Sequence, residues 1–375
     1  MHLTSLSALF ATTLFAFASV SDAVLPGTWP PLDQAPPMKP EWAKLVNKKK
    51  LPKAPVQTAQ AANCSQAVQF CIWSCNACTR SESDVTACPN DKEWGISYDD
   101  GPSPYTPALL DFLNQTNTKV TFAVVGSRVV ERPEVLQRIR DEGHEIVVHT
   151  WSHPALTTIS TEQIIAEIKW TELAIQTAIG LTPKYLRPPR GDYDDRVRSI
   201  ATQLGYKILM WDRDTFDWKS AEDSSYQPSW IWGNFSQWVT DSHGHISLEH
   251  DLYPVGAQNA PYAISIVREA GYTIKPVSVC TGTAAYRENV QLAASGPLPA
   301  DVTLPDPPAP SPTDSTSGSG PESTSSTNDT SANAQSTSDS YASSVSPQFS
   351  RLGPFIILTI SIAFSVYNIR NIIIG

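Results

Sequence analysis

The sequence predicts an α/β fold, an irregular (β/α) barrel around a parallel-strand core, with a doubly wound sheet as the second choice. Three observations carry this. Short apolar segments alternate with helical patterns between residues 94 and 280. One phrase recurs in that span, a helical pattern ending in glycine with an apolar strand after it, at Gly143 to Ile146, Gly205 to Ile208 and Gly271 to Ile274. Polar residues gather where the predicted strands end. Alternation of this kind builds parallel sheets covered by helices, and in a barrel the C-terminal strand ends meet on one face.

The strands are expected at 94–98, 120–125, 145–149, 207–211 and 246–250, each short and apolar. The helices between them carry their own punctuation. Pro133 stands where a first helical residue can lack its N–H, with Val135, Leu136 and Ile139 on one face. A second helix starts after Ser160, with Gln163 three residues on, a capping-box pattern. Its apolar face runs through Ile164, Ile168, Ile175 and Ile179, and Gly180 with Pro183 ends it. Glycine just past a helix takes the left-handed cap that other residues reach only with strain.

The flanks set the compartment. Residues 1–23 read as a secretory signal: an apolar run over 3–20, then Ser21 and Ala23 as a peptidase site requires. Residues 24–90 form an N-terminal extension, Pro-rich early and Cys-rich late, and 91–290 are enough for one globular domain with a large core. The six cysteines, Cys64, Cys71, Cys75, Cys78, Cys88 and Cys280, suit disulfides in an exported chain. A zinc knuckle at Cys71, Cys75 and Cys78 is the rival reading, and it lacks a second matched pair. Asn63, Asn114, Asn234 and Asn328 each head an N-glycosylation sequon. Residues 291–350 are a stalk of Ser, Thr, Pro and small residues that cannot bury a core. Small residues at Ser343 and Ser344, a short spacer and the apolar tail in 351–375 follow the order of a glycolipid-anchor signal, placed at Ser343. A transmembrane helix is the alternative, since the tail is just long enough to span. The net charge of −10 argues against a nucleic-acid partner.

Each polar motif has a bland reading when taken alone. Asp99-Asp100-Gly101-Pro102 is a turn sequence. His149 and His153, four apart, can be unrelated, and Pro154 points to a turn there. Arg187 to Asp192 reads equally as a stiff loop, and Asp214 to Trp218 as a polar turn with a packed indole. His250 alone reads as a core histidine. Together they mean more. One carboxylate and two imidazoles make a catalytic zinc set that leaves a position for water. A second carboxylate can take a proton from that water, and a distant His with an Asp partner can protonate a leaving amine.

In this order the motifs resemble the polysaccharide deacetylases, the NodB-homology family also called carbohydrate esterase family 4. The matches are Ser97 to Gly101, His149 to Pro154, Arg187 to Arg190, Asp214 to Trp218 and Leu248 to His250, across roughly residues 94 to 251. The resemblance implies a NodB-type barrel with Asp100, His149 and His153 as zinc ligands, another divalent ion such as Co²⁺ being possible. It implies Asp99 as general base oriented by Arg187, and His250 as general acid tuned by Asp214. It places the Arg190 N–H in the oxyanion hole and Trp218 and Leu248 along the substrate groove. It also implies a bridge between Cys88 and Cys280. Two residues depart from the family pattern: Tyr98 stands for Phe, and Arg190 for Tyr, which sets a cation in the groove.

The expected activity is zinc-dependent removal of N-acetyl groups from chitin or chitin oligomers, by a monomer held through a lipid anchor at the outer face of the plasma membrane and in the cell wall. Trp151, Trp218, Trp230 and Trp232 are candidates to stack on sugar rings. The alternatives are a deacetylase of another acetylated glycan, such as acetylxylan or peptidoglycan, a catalytically silent glycan-binding surface protein, and a structural mannoprotein.

Overall fold

The structure is a computed structural model that describes residues 24–58 and 64–308. The signal at 1–23, the sequon at Asn63, the stalk beyond 308 with Asn328, the anchor site at Ser343 and the apolar tail lie outside those residues. Among the described residues, no helix is long and apolar enough to cross a membrane.

Among the described residues, nine strands form one sheet: β1 (Asp84–Val85), β2 (Glu93–Asp99), β3 (Thr121–Val124), β4 (Glu145–Val148), β5 (Tyr185–Leu186), β6 (Lys207–Leu209), β7 (Arg213–Asp214), β8 (His245–His250) and β9 (Thr273–Ile274). Their order is β1-β6-β5-β4-β3-β2-β8-β7, with β9 beside β2. Every pair is parallel. The sheet curls into a half-barrel with β1 and β7 as its edges. All the strands expected from the sequence are present. β1, β5 and β7 were not anticipated, because two residues are too few to display a period.

Short turns α1 (Ala67–Phe70) and α2 (Trp73–Asn76) precede the sheet. The outer layer comprises α3 (Thr106–Gln115), α4 (Gly126–Glu131), α5 (Pro133–Asp141), α6 (Thr161–Ile179), α7 (Asp195–Gln203), α8 (Ser229–Trp238) and α9 (Pro254–Glu269), and α10 (Val277–Cys280) follows β9. The caps are those the sequence advertises. The Ser160 hydroxyl accepts the Gln163 N–H at 3.1 Å at the start of α6. Gly143, Gly205 and Gly271 all take the left-handed conformation before their strands.

Alternation along each strand sorts side chains into two apolar layers. Trp94, Ile96 and Tyr98 of β2 face the helices with Phe122, Val124, Ile146 and Val148. Ala123, Val147, Tyr185, Leu209 and Ile246 face the concave side, where Cys88, Val277 and Cys280 join them. Gly95 lets that plug approach, since a Cβ there would meet Val277, Ile246 and the Cys88 sulfur. The Cys88–Cys280 bridge is present and ties the entry of β2 to α10. Cys64–Cys75 and Cys71–Cys78 complete the set, so the extension carries disulfides and no zinc knuckle. The buried Thr121 and Glu145 hold this plug from the strand starts, accepting the Val277 and Ser278 N–H groups, and the second set of polar groups lies at the C-terminal strand ends.

Candidate metal centre and catalytic site

Strand register brings the site together. β2 and β8 run side by side with Asp99 opposite His250. β4 and β5 pair Val148 with Leu186, which sets His149 and Arg187 next to each other beyond the last rung. Asp100 then leaves β2 in the left-handed region, φ +79°, and Thr150, His153, Arg190 and Phe216 are left-handed as well. Non-glycine residues in this conformation cluster at sites where surrounding contacts hold them against strain.

Asp100, His149 and His153 form the one group among the described residues able to hold a metal ion, their ligand atoms all within 4.8 Å of one another. Asp100 Oδ1 lies 3.3 Å from His149 Nε2 and 3.2 Å from His153 Nε2. That oxygen is buried and has no hydrogen-bond partner. A carboxylate oxygen left bare between two imidazole nitrogens fits a cation in their midst, and one oxygen with two nitrogens is a donor set that suits zinc. The rest of each ligand is anchored. His149 Nδ1–H donates to the Arg187 carbonyl at 2.7 Å, which leaves Nε2 with its lone pair free. Burial pushes His153 down to about 4, against the pull of Asp100, so its imidazole is neutral at pH 7. Burial works to raise Asp100, yet the imidazoles of His153, His149 and His250 hold it well below the usual carboxylate range.

Asp99 sits beside this group, Oδ2 3.7 Å from His149 Nε2. The fully buried Arg187 donates to Asp99 Oδ1 at 2.9 Å and to Ser97 Oγ at 3.1 Å, and its guanidinium packs 5.2 Å from the Trp211 ring. A planar cation fixed at both ends this way holds one carboxylate oxygen and leaves the other beside His149.

His250 closes the opposite side. Its partner is Asp217, which corrects the sequence expectation of Asp214. His250 Nδ1 donates to Asp217 Oδ1 at 2.7 Å, and the His250 backbone N–H donates to Asp217 Oδ2 at 2.8 Å. The reason is register. β7 pairs Asp214 with Leu248, two residues short of His250. The chain then turns at Phe216, φ +54°, and delivers Asp217 under the histidine. Asp214 accepts the Phe216 N–H at 2.7 Å, and burial pushes its carboxyl up to about 6. Burial lowers the affinity of His250 for a proton, but Asp217, with Asp100 and Asp99 behind it, raises the group to about 10.

The groove residues divide. Leu248 is buried on β8 and Trp218 is half-buried, its ring 6.5 Å from Phe216. Arg190 is exposed on the tight turn Pro189–Gly191, and its positive charge reaches His153. Trp230 is exposed and Trp232 half-buried on α8. Trp151 is fully buried against Trp29 and Trp170, so it offers no face to a sugar. Asn114 is exposed at the end of α3, and Asn234 is half-buried within α8. Sequence reasoning also passed over Arg128, which donates to the Asp100 carbonyl at 2.6 Å. No motif marks it, because its partner is a backbone atom.

Residues 86–209 match the family model described as polysaccharide deacetylase. The chain is 39% identical over 277 residues to chitin deacetylase 1 of Cryptococcus neoformans var. grubii, an overlap of 68% of this chain and 58% of the relative. It is 37% identical over 220 residues to chitin deacetylase 1 of Saccharomyces cerevisiae, covering 58% of this chain and 69% of that protein. Among solved structures, the chitin deacetylase from the fungal pathogen Colletotrichum lindemuthianum matches with a TM-score of 0.52 at 27% identity, over 56% of this chain and 97% of that one. The chain spans about half the length of the first curated relatives it matches, 58%, 50% and 42% of the three.

Proposed function

The chain belongs to the polysaccharide deacetylase family, and from that premise we propose that it removes N-acetyl groups from N-acetylglucosamine residues of chitin, releasing acetate, with a zinc ion held by Asp100, His149 and His153. The observation that carries the reading is the opposed pair around the metal set. An arginine-held carboxylate, Asp99, stands on one strand, and a charged imidazole, His250, stands on its neighbour. The names of the relatives support chitin as the substrate.

Asp100, His149 and His153 would hold the divalent ion, which would supply polarisation of the acetyl carbonyl and a more acidic water. Asp99 takes the water's proton through the oxygen that Arg187 leaves free. The Arg190 backbone N–H donates toward the carbonyl oxygen as negative charge gathers there. His250, kept protonated by Asp217, gives its Nε2 proton to the departing glucosamine nitrogen, which is otherwise a poor leaving group. Leu248 and Trp218 line the groove that receives the acetylated unit. The Ser/Thr/Pro-rich stalk and apolar tail support tethering at the outer cell surface through a glycolipid at Ser343, the sequons at Asn63, Asn114, Asn234 and Asn328 support glycosylation, and a monomer suffices for every role named.

The test is acetate release from chitin oligomers by the full secreted chain, with bound metal quantified. One zinc per chain, activity lost to chelator and activity restored by added zinc are expected. Zinc binding without acetate release would move the substrate to another acetylated glycan. A folded sample with neither would remove the enzymatic reading and leave a glycan-binding surface protein.

A further inference from the structure

The loop between the two histidine ligands does not hold its own shape. Thr150 and His153 both lie in the left-handed region, φ +68° and +59°, within four residues of chain. Its inner contact is a single hydrogen bond, from the His153 N–H to Thr150 Oγ1 at 3.2 Å. The remaining contacts come from outside. α4 supplies two donors, Gly126 N–H to the Thr150 carbonyl and Ser127 N–H to the Trp151 carbonyl. Pro31, in the N-terminal extension, accepts the Trp151 indole N–H at 3.1 Å.

The strongest contact comes from Glu167 in the middle of α6. Its side chain is fully buried. Oε2 accepts the N–H groups of Trp151 and Ser152, each at 2.8 Å, and Oε1 accepts the Ser152 hydroxyl at 2.7 Å. Among the described residues Glu167 takes part in no ion pair. A buried carboxylate without a cation is costly unless donors satisfy it, and a leucine would fill the same space without that cost. Its use lies in where it sets the loop.

We infer that Glu167 is a positioning residue for the metal, fixing the backbone between His149 and His153 so that their two Nε2 atoms face Asp100. This rests on the reading that these histidines are metal ligands. Glu167 touches neither metal nor substrate and acts through Trp151 and Ser152.

The experiment is Co²⁺ titration of metal-free full-length protein, followed by the visible bands of the bound ion and by chelator competition. Glu167→Leu is expected to weaken Co²⁺ binding about 10- to 100-fold and to alter the bands, as loss of an outer partner does elsewhere. Glu167→Gln keeps an oxygen for the two N–H groups and should restore affinity to within a few-fold. A folded Glu167→Leu with the wild-type melting curve, affinity and bands would overturn the inference. Should Glu167→Leu not fold, Glu167→Asp decides, since its shorter arm withdraws the oxygen. Weakened binding supports the role, and unchanged binding overturns it. A wild-type protein that binds no Co²⁺ would remove the metal reading itself.

Discussion

His153 and His250 are both largely buried imidazoles at the rim of one half-barrel, and at pH 7 the first is neutral and the second positively charged. Burial lowers both. For His153 it prevails, taking the group to about 4, because Asp100 shares its charge with His149, and Arg128 and Arg190 add positive charge nearby. For His250 it loses, because Asp217 is committed to that residue through both of its oxygens, and the group rises to about 10. The lesson is that burial sets the stakes and the allotment of carboxylates sets the outcome. One histidine is left with a lone pair for a metal, and the other with a proton for a leaving group.

The largest effect is expected at Asp99, which lies beside His149 and opposite His250 on the neighbouring strand. Asp99→Asn keeps the shape and the Arg187 contact but takes no proton, so turnover should fall about 10²–10⁴-fold. Metal content should stay near one ion per chain, which separates loss of the base from loss of the site. Near-normal turnover would remove Asp99 from the role of base.

Asp217→Asn tests the His250 side. Without that carboxylate, burial acts on His250 against only the more distant Asp100, Asp99 and Asp214, and its proton affinity drops toward the ordinary imidazole value of about 6.5. Turnover at pH 8 should fall about 10- to 100-fold, the scale of losing a hydrogen-bonded outer partner. The falling limb of the pH–rate profile should move to lower pH, since a proton donor is active only below its own pKa. Stability follows the same sign. A group raised in the folded state stabilises fully below its unfolded value near 6.5, and that contribution is lost as pH rises toward about 10. Melting temperature in the wild type should therefore decline across that window, and Asp217→Asn should flatten the decline. An unchanged slope would assign the alkaline loss to other groups.

How much of this was legible follows the length of each signal. β2, β3, β4, β6 and β8 announce themselves as apolar runs between glycine-ended helices, and the metal set follows from two histidines and an aspartate at strand ends. β1, β5 and β7 hold two residues each and leave no pattern. Glu167 reads in sequence as one more charge on a helix, although α6 is buried on most of its circumference. Its function depends on a loop that approaches from another strand, and no local rule carries that. The Cys88–Cys280 bridge followed only from the motif resemblance, because six cysteines alone allow many pairings. Asp217 was visible within its motif, but the role of partner to His250 was given to Asp214. Asp214 and Asp217 share one turn, and only the β7–β8 register together with the left-handed Phe216 decides which of them reaches His250.

That choice gives the smallest effect and the sharpest control. Among the described residues Asp214 accepts only the Phe216 N–H, and it acts on His250 through space rather than through a bond. Asn at this position keeps an oxygen for that N–H, so Asp214→Asn should change turnover at pH 8 by less than about threefold, since one through-space charge is worth far less than a bonded one. The falling limb should move slightly to lower pH, because one distant negative charge that favours the imidazolium is gone. Measured beside Asp217→Asn, the two profiles separate charge from contact. If the Asp214 variant shifts the limb as far as the Asp217 variant does, the summed negative field of the pocket keeps His250 charged, and the two short hydrogen bonds to Asp217 serve only to aim the ring.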